Sequence, residues 1–251
     1  MPSSRRLFVL FGLVLVLAIP VVTVADDAAT RAIVEQAIEK KGGEKLAKFK
    51  GTTSKVKGTV QANAAGLSFT GEIASQAGDQ QRIAVTIVVD GRSISIARVL
   101  NRDQGWVKLN DTVVDMPAEE LAETKAAAYA GWVATLLPLK DKAFQLAPFG
   151  EIEIAGRKVV GVNVTRDGHR SINLFFDKES LRLVRSETIV RDKATSKEMT
   201  EEATYGEFKT VEGTEQPTKV SIKRNGQSYA DIEVEEYQPA EKLDDSIFAK
   251  P

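Results

Sequence analysis

Residues 82–100, RIAVTIVVDGRSISIARVL, decide the fold class of this chain. Apolar residues alternate with polar or small ones on both sides of Asp90-Gly91, and a period of two is typical of a strand with one buried face. The alternating apolar positions are Ile83, Val85, Ile87 and Val89 before the turn and Ile94, Ile96 and Leu100 after it. Asp and Gly both tolerate positive φ, so Asp90-Gly91 predicts a two-residue hairpin turn. The segment therefore predicts two antiparallel strands.

Similar segments continue in both directions from this hairpin. They cover residues 53–62 and 67–76 before it, and residues 104–109 and 112–116 after it. Beyond an interruption, further strands are predicted at residues 144–154, 158–166, 169–177, 181–192, 198–210, 218–224 and 227–237. Short turns such as Asn225-Gly226 separate neighbouring segments. The pattern predicts an antiparallel meander of about a dozen strands, which can have one polar and one apolar face.

Residues 28–41 have helical rather than strand-like spacing. Their apolar residues include Ile33, Ala37 and Ile38, and Gly42-Gly43 follows as a helix stop. We therefore expect one amphipathic helix that packs on the sheet that follows it.

A helical insert interrupts the strands in the middle of the chain. Pro117 suits the first turn of a helix, two glutamates follow it, and residues 121–130 are rich in alanine. We expect Gly131 to interrupt this helix and residues 132–137 to form a short, very apolar stretch. The predicted fold class is therefore α+β and mainly antiparallel β, with an N-terminal helix and a helical insert.

The N-terminus has the pattern of a secretory signal peptide. Arg5 and Arg6 precede an apolar run at residues 7–19, and small residues lead to Ala25. The run is shorter than the about 20 residues that span a bilayer, so we expect cleavage after Ala25 and no membrane anchor. Residues 26–251 are then a single domain in the periplasm or otherwise outside the cytoplasm. The very apolar run favours general secretion, and the paired arginines leave twin-arginine export as the alternative.

Composition argues against several function classes. The chain has 34 basic and 35 acidic residues, so there is no electrostatic case for nucleic-acid binding. It has no cysteine, which excludes disulfides and thiolate metal sites. Its one histidine, His169, lies beside a predicted turn, where a solvated surface position is the ordinary interpretation. No nucleophile elbow, phosphate loop or dinucleotide fingerprint occurs. We therefore predict a protein that is not an enzyme and needs no cofactor or metal.

The insert carries the densest apolar group in the chain. Its members are Tyr129, Trp132, Val133, Leu136 and Leu137. One interpretation is that they close the core, as a helix packed on a sheet does. The other is that they cover a concave apolar face and form a pocket for a hydrophobic ligand. On the second interpretation, the candidate ligand-binding residues are Trp106, Tyr129, Trp132, Leu136 and Leu137.

The order of elements resembles that of the LolA-like superfamily of exported bacterial proteins, in its uncharacterised branch. The resemblance covers nearly all of residues 26–251, and each of its motifs alone is weak. The motifs are Gly42-Gly43-Glu44-Lys45-Leu46, Gly105-Trp106, Leu174-Phe175-Phe176-Asp177-Lys178-Glu179, Leu183-Val184-Arg185, Tyr205-Gly206-Glu207-Phe208, Gly213, Pro217 and Asp244-Asp245-Ser246-Ile247-Phe248.

The resemblance implies a half-barrel whose helices cover a concave apolar side that takes acyl chains. The expected function is thus a periplasmic carrier or sensor of lipid or of an acylated lipoprotein. The alternative is a module that docks an envelope protein and has no lipid cavity. An outer-membrane barrel fits poorly, because aromatic residues make up 6% of the chain and the strands carry charges on faces that lipid would cover.

Overall fold

The computed structural model describes residues 28–62, 65–192 and 195–251. The predicted signal peptide lies outside the described residues. The helices are α1 (Ala28–Lys41), α2 (Glu44–Lys48) and α3 (Ala118–Ala134), and two short 3₁₀ helices span Leu137–Lys140 and Asp245–Phe248. None of the described helices is both long and apolar enough to cross a membrane.

Thirteen strands form one antiparallel sheet. They are β1 (Gly51–Ala62), β2 (Ala65–Gln76), β3 (Gln80–Val89), β4 (Arg92–Asn101), β5 (Gln104–Leu109), β6 (Thr112–Asp115), β7 (Gln145–Ile154), β8 (Arg157–Thr165), β9 (Ile172–Asp177), β10 (Leu183–Arg191), β11 (Glu198–Val211), β12 (Thr214–Arg224) and β13 (Gln227–Ala240). The sheet is open, and with its helices it forms an α+β half-barrel. The predicted fold class is confirmed.

The first and last strands of the chain lie side by side at the centre of the sheet. Strands β1 to β6 lie in sequence order from the centre to one edge, and α3 then leads to β7 at the other edge. Strands β7 to β13 lead back to the centre, where β13 pairs with β1. This path makes α3 the covalent link between the two edge strands.

The largest core lies where the helices cover the concave face of strands β7 to β10. Three residues of α1, Val34, Ala37 and Ile38, are 1% exposed, and their spacing places them on one side of the helix. They belong to one cluster with residues of α3, the following 3₁₀ helix and the sheet, including Val133, Leu139, Leu146, Leu174 and Phe176. A core that is closed on this side fixes the position of the helices over the sheet.

Gly131 does not interrupt the insert helix, contrary to the prediction. Helix α3 runs without a break from Ala118 to Ala134, and Gly131 lies exposed inside it. A glycine in a helix costs roughly 1 kcal/mol relative to alanine. Burial of Val133 two residues later offsets this cost, because a buried valine contributes about 1.5–3 kcal/mol.

The convex face carries two smaller clusters. The C-terminal tail packs Leu243 and Phe248 against Val99 and Trp106, and all four are at most 8% exposed. Nearer to β7, three further apolar residues form the second cluster, namely Val159, Phe175 and Val184. The tail therefore covers the face of the sheet that is opposite to the helices.

Candidate functional site

A broad part of the concave face is apolar but not covered by the helical core. Strand register aligns apolar residues into rows that cross the sheet from β4 to β11. One row is Ile94, Ile87, Phe69, Gly58, Ile232, Val220 and Tyr205. The next is Ile96, Val85, Gly71, Val56 and Val234. We call the surface formed by these two rows the trough.

The trough has no charged side chain and is partly open. Among its residues that have a side chain, only Val56 counts as fully buried, and the others are half-buried. The opposite face of the same strands carries charges, for example Lys57, Glu72 and Glu233. An antiparallel sheet usually packs its apolar face on a core and leaves its polar face in water. Here the apolar face is therefore the one left without a complete cover.

Two glycines at the centre of the trough allow close approach of neighbouring groups. The Phe69 ring lies so close over Gly58 that a Cβ atom added to Gly58 would be 3.0 Å from Phe69 Cζ. A Cβ atom on Gly71 would be 2.8 Å from Val85 Cγ1. The same Cβ atoms would lie even closer to backbone carbonyl oxygens of the neighbouring strands, 2.0 Å from that of Asp231 and 2.3 Å from that of Ala84. A side chain at either position would therefore force the strand backbone to shift.

A cavity of about 220 Å³ lies between the helices and the central strands, further along the same face of the sheet as the trough. Its apolar lining includes Leu46, Phe49, Ala128, Trp132 and Leu137, from α2, α3 and the segments next to them. Small-molecule pockets usually measure roughly 300–1,000 Å³. The cavity is therefore suited to part of a ligand that also lies on the open trough.

Tyr237 lines the same cavity from β13. Burial raises the pKa of Tyr237 to about 12, so its hydroxyl group stays neutral at physiological pH. Thr52, Ser75 and Gln81 add further neutral polar groups to the lining. Lys50 adds one positive charge to the lining. The cavity thus offers apolar contacts, neutral hydrogen-bonding groups and one cationic side chain.

Helix α3 crosses the open side of the half-barrel and is held from both sides. Glu120 pairs with Arg98 on β4, where the Arg98 guanidinium donates to the carboxylate. Glu123, one turn later, pairs with Arg170 in the loop before β9. Trp132 lies against the turn between β2 and β3, since a Cβ atom on Gly78 would be 2.7 Å from Trp132 Cδ2. The insert thereby spans the two sides of the opening.

The structure places the five sequence-predicted residues in three different environments. Trp132 and Leu137 line the cavity. Leu136 and Tyr129 belong to the helical core and are 1% and 6% exposed. Trp106 lies on the convex face under the C-terminal tail. The structure therefore brings two of the five together beside the trough.

Sequence reasoning missed the trough itself. The alternation of Val85 and Ile87 was used to predict a strand. It also places both residues on one face, but they were not included among the candidate ligand-binding residues. The sequence did contain a signal for the trough. Apolar alternation extends over strands β2, β3, β4, β12 and β13, and the resulting apolar face is larger than the predicted helices can cover. His169 is exposed, as expected, but its ring stacks on Tyr129 with 3.9 Å between centroids.

No group of three or more metal-binding side chains occurs within the part of the chain that the structure describes. The described site offers apolar surface and hydrogen-bonding groups.

Solved structures share this architecture. A LolA superfamily protein from Nitrosomonas europaea matches with a TM-score of 0.57 at 13% identity, over 88% of this chain and 97% of that chain. A proposed outer membrane lipoprotein-sorting protein domain from Vibrio parahaemolyticus matches with a TM-score of 0.56 at 11% identity, with the same coverage of the two chains. A DUF1329 family protein from Desulfovibrio piger matches with a TM-score of 0.57 at 12% identity, again over 88% and 97%.

No protein-family model and no curated protein matches the sequence. Because the identities to the solved structures are low, their likeness concerns the course of the backbone. The chain has the fold of the LolA superfamily.

Proposed function

We propose that the protein binds a hydrophobic ligand, the acyl chain of a lipid or of a lipoprotein, on the trough and in the cavity further along the same face. The observation that carries this proposal is the uncharged, half-open apolar face that crosses the sheet from β4 to β11. Contiguous apolar surfaces that remain partly open to water often mark interaction sites. The role is that of a carrier or sensor and involves no catalysis.

Apolar burial supplies the affinity. Each buried methylene contributes about 0.8 kcal/mol, so a chain of about ten methylenes gains about 8 kcal/mol before the costs of association. The shape of the trough, long and without charge, suits an extended chain better than a compact polar molecule. Trp132 and Leu137 would contact the end of the chain that enters the cavity.

The N-terminal sequence supports a proposal about the cellular setting. Residues 1–25 have the pattern of a secretory signal peptide, and we place the protein of residues 26–251 in the periplasm as a single domain. One of the similar structures is a proposed lipoprotein-sorting domain, which supports acyl chains as the ligand class.

The first experiment identifies the cargo. The protein is purified without detergent from the envelope of its own organism, and an organic extract is analysed by mass spectrometry. A lipid or acylated peptide in stoichiometric amount supports the proposal. An extract without lipid, together with no binding of a dansyl-labelled fatty acid, would contradict it and favour docking of an envelope protein.

The second experiment places the ligand on the trough with a matched pair of variants. Val85→Glu puts a charge on the trough, and Thr86→Glu puts the same charge on the opposite face of the same strand. We expect Val85→Glu to weaken binding of the labelled fatty acid at least about tenfold, because burying a carboxylate against the chain is costly. Thr86→Glu should bind as the native protein does. Equal effects of the two substitutions would contradict the assigned face.

A further inference from the structure

A second cleft lies on the side of α3 that faces away from the trough. Its volume is about 600 Å³, and it is bounded by α3, by the turn between β2 and β3, and by the loop between β8 and β9. Ala122, Lys125, Ala126 and Tyr129 line it, with the spacing of one helical face. Ala128 and Gly131 line the cavity beside the trough instead, and Trp132 lines both spaces.

Three cationic side chains line this cleft, and one of them lacks an acidic partner. Lys125 pairs with Asp103 at 2.7 Å, and Arg170 pairs with Glu123. For Arg166, no carboxylate of the described residues lies within ion-pair distance. Its guanidinium carbon lies 5.0 Å from the centroid of the Phe144 ring. The positive charge of Arg166 is therefore available to a ligand.

An array of aromatic rings forms one wall of the cleft. The rings of Tyr129 and His169 are nearly parallel, with 3.9 Å between centroids, and Tyr129 is also parallel to Phe144 at 6.4 Å. Packing on Tyr129 holds the imidazole of His169 beside the cationic groups. The position of His169 is thus fixed by α3 as well as by its own loop.

Burial and two cationic side chains act on the pKa of His169. Desolvation lowers the pKa of His169, and the charges of Arg166 and Lys125 lower it further. Acidic groups are present nearby: Asp79 lines the cleft, Asp167 lies in the same loop, and Glu123 and Asp103 are engaged by Arg170 and Lys125. These carboxylates do not reverse the direction of the shift. A bound anion, in contrast, would raise the pKa of His169.

We propose that this cleft binds an oxyanion, a phosphate or carboxylate group, between Arg166, Lys125 and His169. Guanidinium and ammonium groups recognise such anions through charge-assisted hydrogen bonds. An anion held there would connect α3 to the loop between β8 and β9, on the outer side of the helix that crosses the trough. The cleft shares Trp132 and the turn between β2 and β3 with the cavity, but Arg166, Lys125 and His169 line the cleft alone. Anion binding can therefore be tested whether or not the trough binds lipid.

The single histidine of the chain makes a direct test available. The imidazole resonances of His169 are followed by NMR during pH titrations in chloride and in inorganic phosphate at equal ionic strength, which holds screening constant. We expect phosphate to raise the pKa of His169 by about one unit, as a nearby opposite charge does. An unchanged pKa at saturating phosphate would overturn the proposal.

Substitutions identify the groups that hold the anion. Arg166→Gln should weaken phosphate binding at least about tenfold, whereas Arg166→Lys keeps the charge and should retain part of the affinity. Lys209→Gln removes an exposed charge on β11, away from the cleft, and should have no effect. Weak binding by Arg166→Gln with retention by Arg166→Lys supports the site even if the first variant loses some stability. A phosphate effect that is the same in all three variants would overturn it.

A further comparison separates the two sources of the anion. Lysophosphatidic acid and the matching monoacylglycerol share an acyl chain and differ in the phosphate. If lysophosphatidic acid shifts His169 at far lower concentration than inorganic phosphate, the oxyanion is a lipid headgroup. If both phosphates act at similar concentration, it is a free anion. If monoacylglycerol shifts the pKa of His169 as much as lysophosphatidic acid does, the phosphate is not recognised and the proposal fails, while acyl binding stands.

Discussion

Glu123 of α3 accepts hydrogen bonds from both terminal nitrogens of Arg170, at 2.8 and 2.5 Å. The same carboxylate also accepts a hydrogen bond from the backbone N–H of Arg191, at 3.0 Å. Arg170 lies in the loop before β9, and Arg191 ends β10. One carboxylate therefore joins the helix that crosses the opening to the loop before β9 and to the end of β10.

Glu123→Gln should lower the free energy of unfolding by about 1–2 kcal/mol, because it weakens a partly buried, bidentate ion pair. Urea denaturation followed by circular dichroism measures the change. Glu151→Gln is the matched control, since the pair between Lys178 and Glu151 is largely exposed and should contribute under about 0.5 kcal/mol. Equal losses in the two variants would show that the contact of α3 with the loop contributes no more than a surface pair.

Trp132 and Leu136 should separate ligand binding from core packing. Leu136 is 1% exposed in the helical core, so Leu136→Ala should cost about 2–5 kcal/mol of stability and leave fatty-acid affinity nearly unchanged. Trp132 lines the cavity, so Trp132→Ala should weaken fatty-acid binding more than it weakens folding. If both properties fall together in Trp132→Ala, its role is that of a core residue.

Gly78→Ala should displace Trp132. Gly78 has φ of +80°, and a Cβ atom there would be 2.7 Å from the indole. Gly91→Ala is the control, because its φ is +73° and no atom lies within 4 Å of the added Cβ. Both substitutions carry a backbone cost of about 1 kcal/mol. With Trp106 replaced by Phe, only Gly78→Ala should change the tryptophan emission spectrum. An unchanged spectrum would mean that the indole does not rest on the turn.

The C-terminal tail should matter for stability and not for ligand binding. Phe248 is fully buried on the convex face, so Phe248→Ala should cost about 3–5 kcal/mol and expose Trp106 to water. Denaturation and the emission of Trp106 in a Trp132→Phe background measure these effects. Fatty-acid affinity of the folded protein should stay the same, because the trough is on the other face. A loss of affinity at full folding would place part of the ligand site under the tail.

Lys41 should make stability depend on pH in the alkaline range. Burial lowers the pKa of Lys41 to about 8 from 10.5, and Glu215 opposes this shift in part. Between these two values the unfolded chain binds the proton more strongly than the folded one, so stability rises with pH across this window. Below pH 8 the buried charge is a cost that Lys41→Met removes. The variant should then be more stable than the native protein at pH 7, by at most about 3 kcal/mol.

The advantage of Lys41→Met should disappear as the pH approaches 10.5. Denaturation at several pH values measures it, and Lys40→Met serves as the control because Lys40 is the exposed neighbour in the same helix. An advantage of Lys41→Met that is constant from pH 7 to 10.5 would show that proton binding at Lys41 is not its cause.

The strands could be predicted because their signals are local. Asp90-Gly91 and Asn225-Gly226 connect β3 to β4 and β12 to β13, and each turn fixes the register of the strands beside it. The N-terminal helix was predicted at its observed bounds, because Gly42-Gly43 is a local stop signal. In the structure Gly43 has φ of +56°, a conformation that favours glycine after the end of a helix.

The site could be predicted only in part, because it depends on which face of the sheet is concave. Alternation shows that Trp106 and Val107 point to opposite faces, but it does not show which of the two faces the helices. The tail, distant in sequence, covers Trp106, and α3 covers the other face. In the same way, Tyr129 and Trp132 lie on one apolar helix, and only tertiary contacts direct the first into the core and the second to the cavity.

The position of β1 next to β13 has a consequence for how the protein folds. Strands β1 to β6 and β7 to β13 are two sets of sequential hairpins, and each can form by closing short loops. The pairing of β1 with β13 is different, since Lys55 and Glu236, which face each other across it, are 181 positions apart. Long-range strand pairing is slow, so this junction should form last. Until then the folding chain presents two unpaired strand edges at this junction, and this is the interval in which it is most exposed to aggregation and most dependent on chaperones.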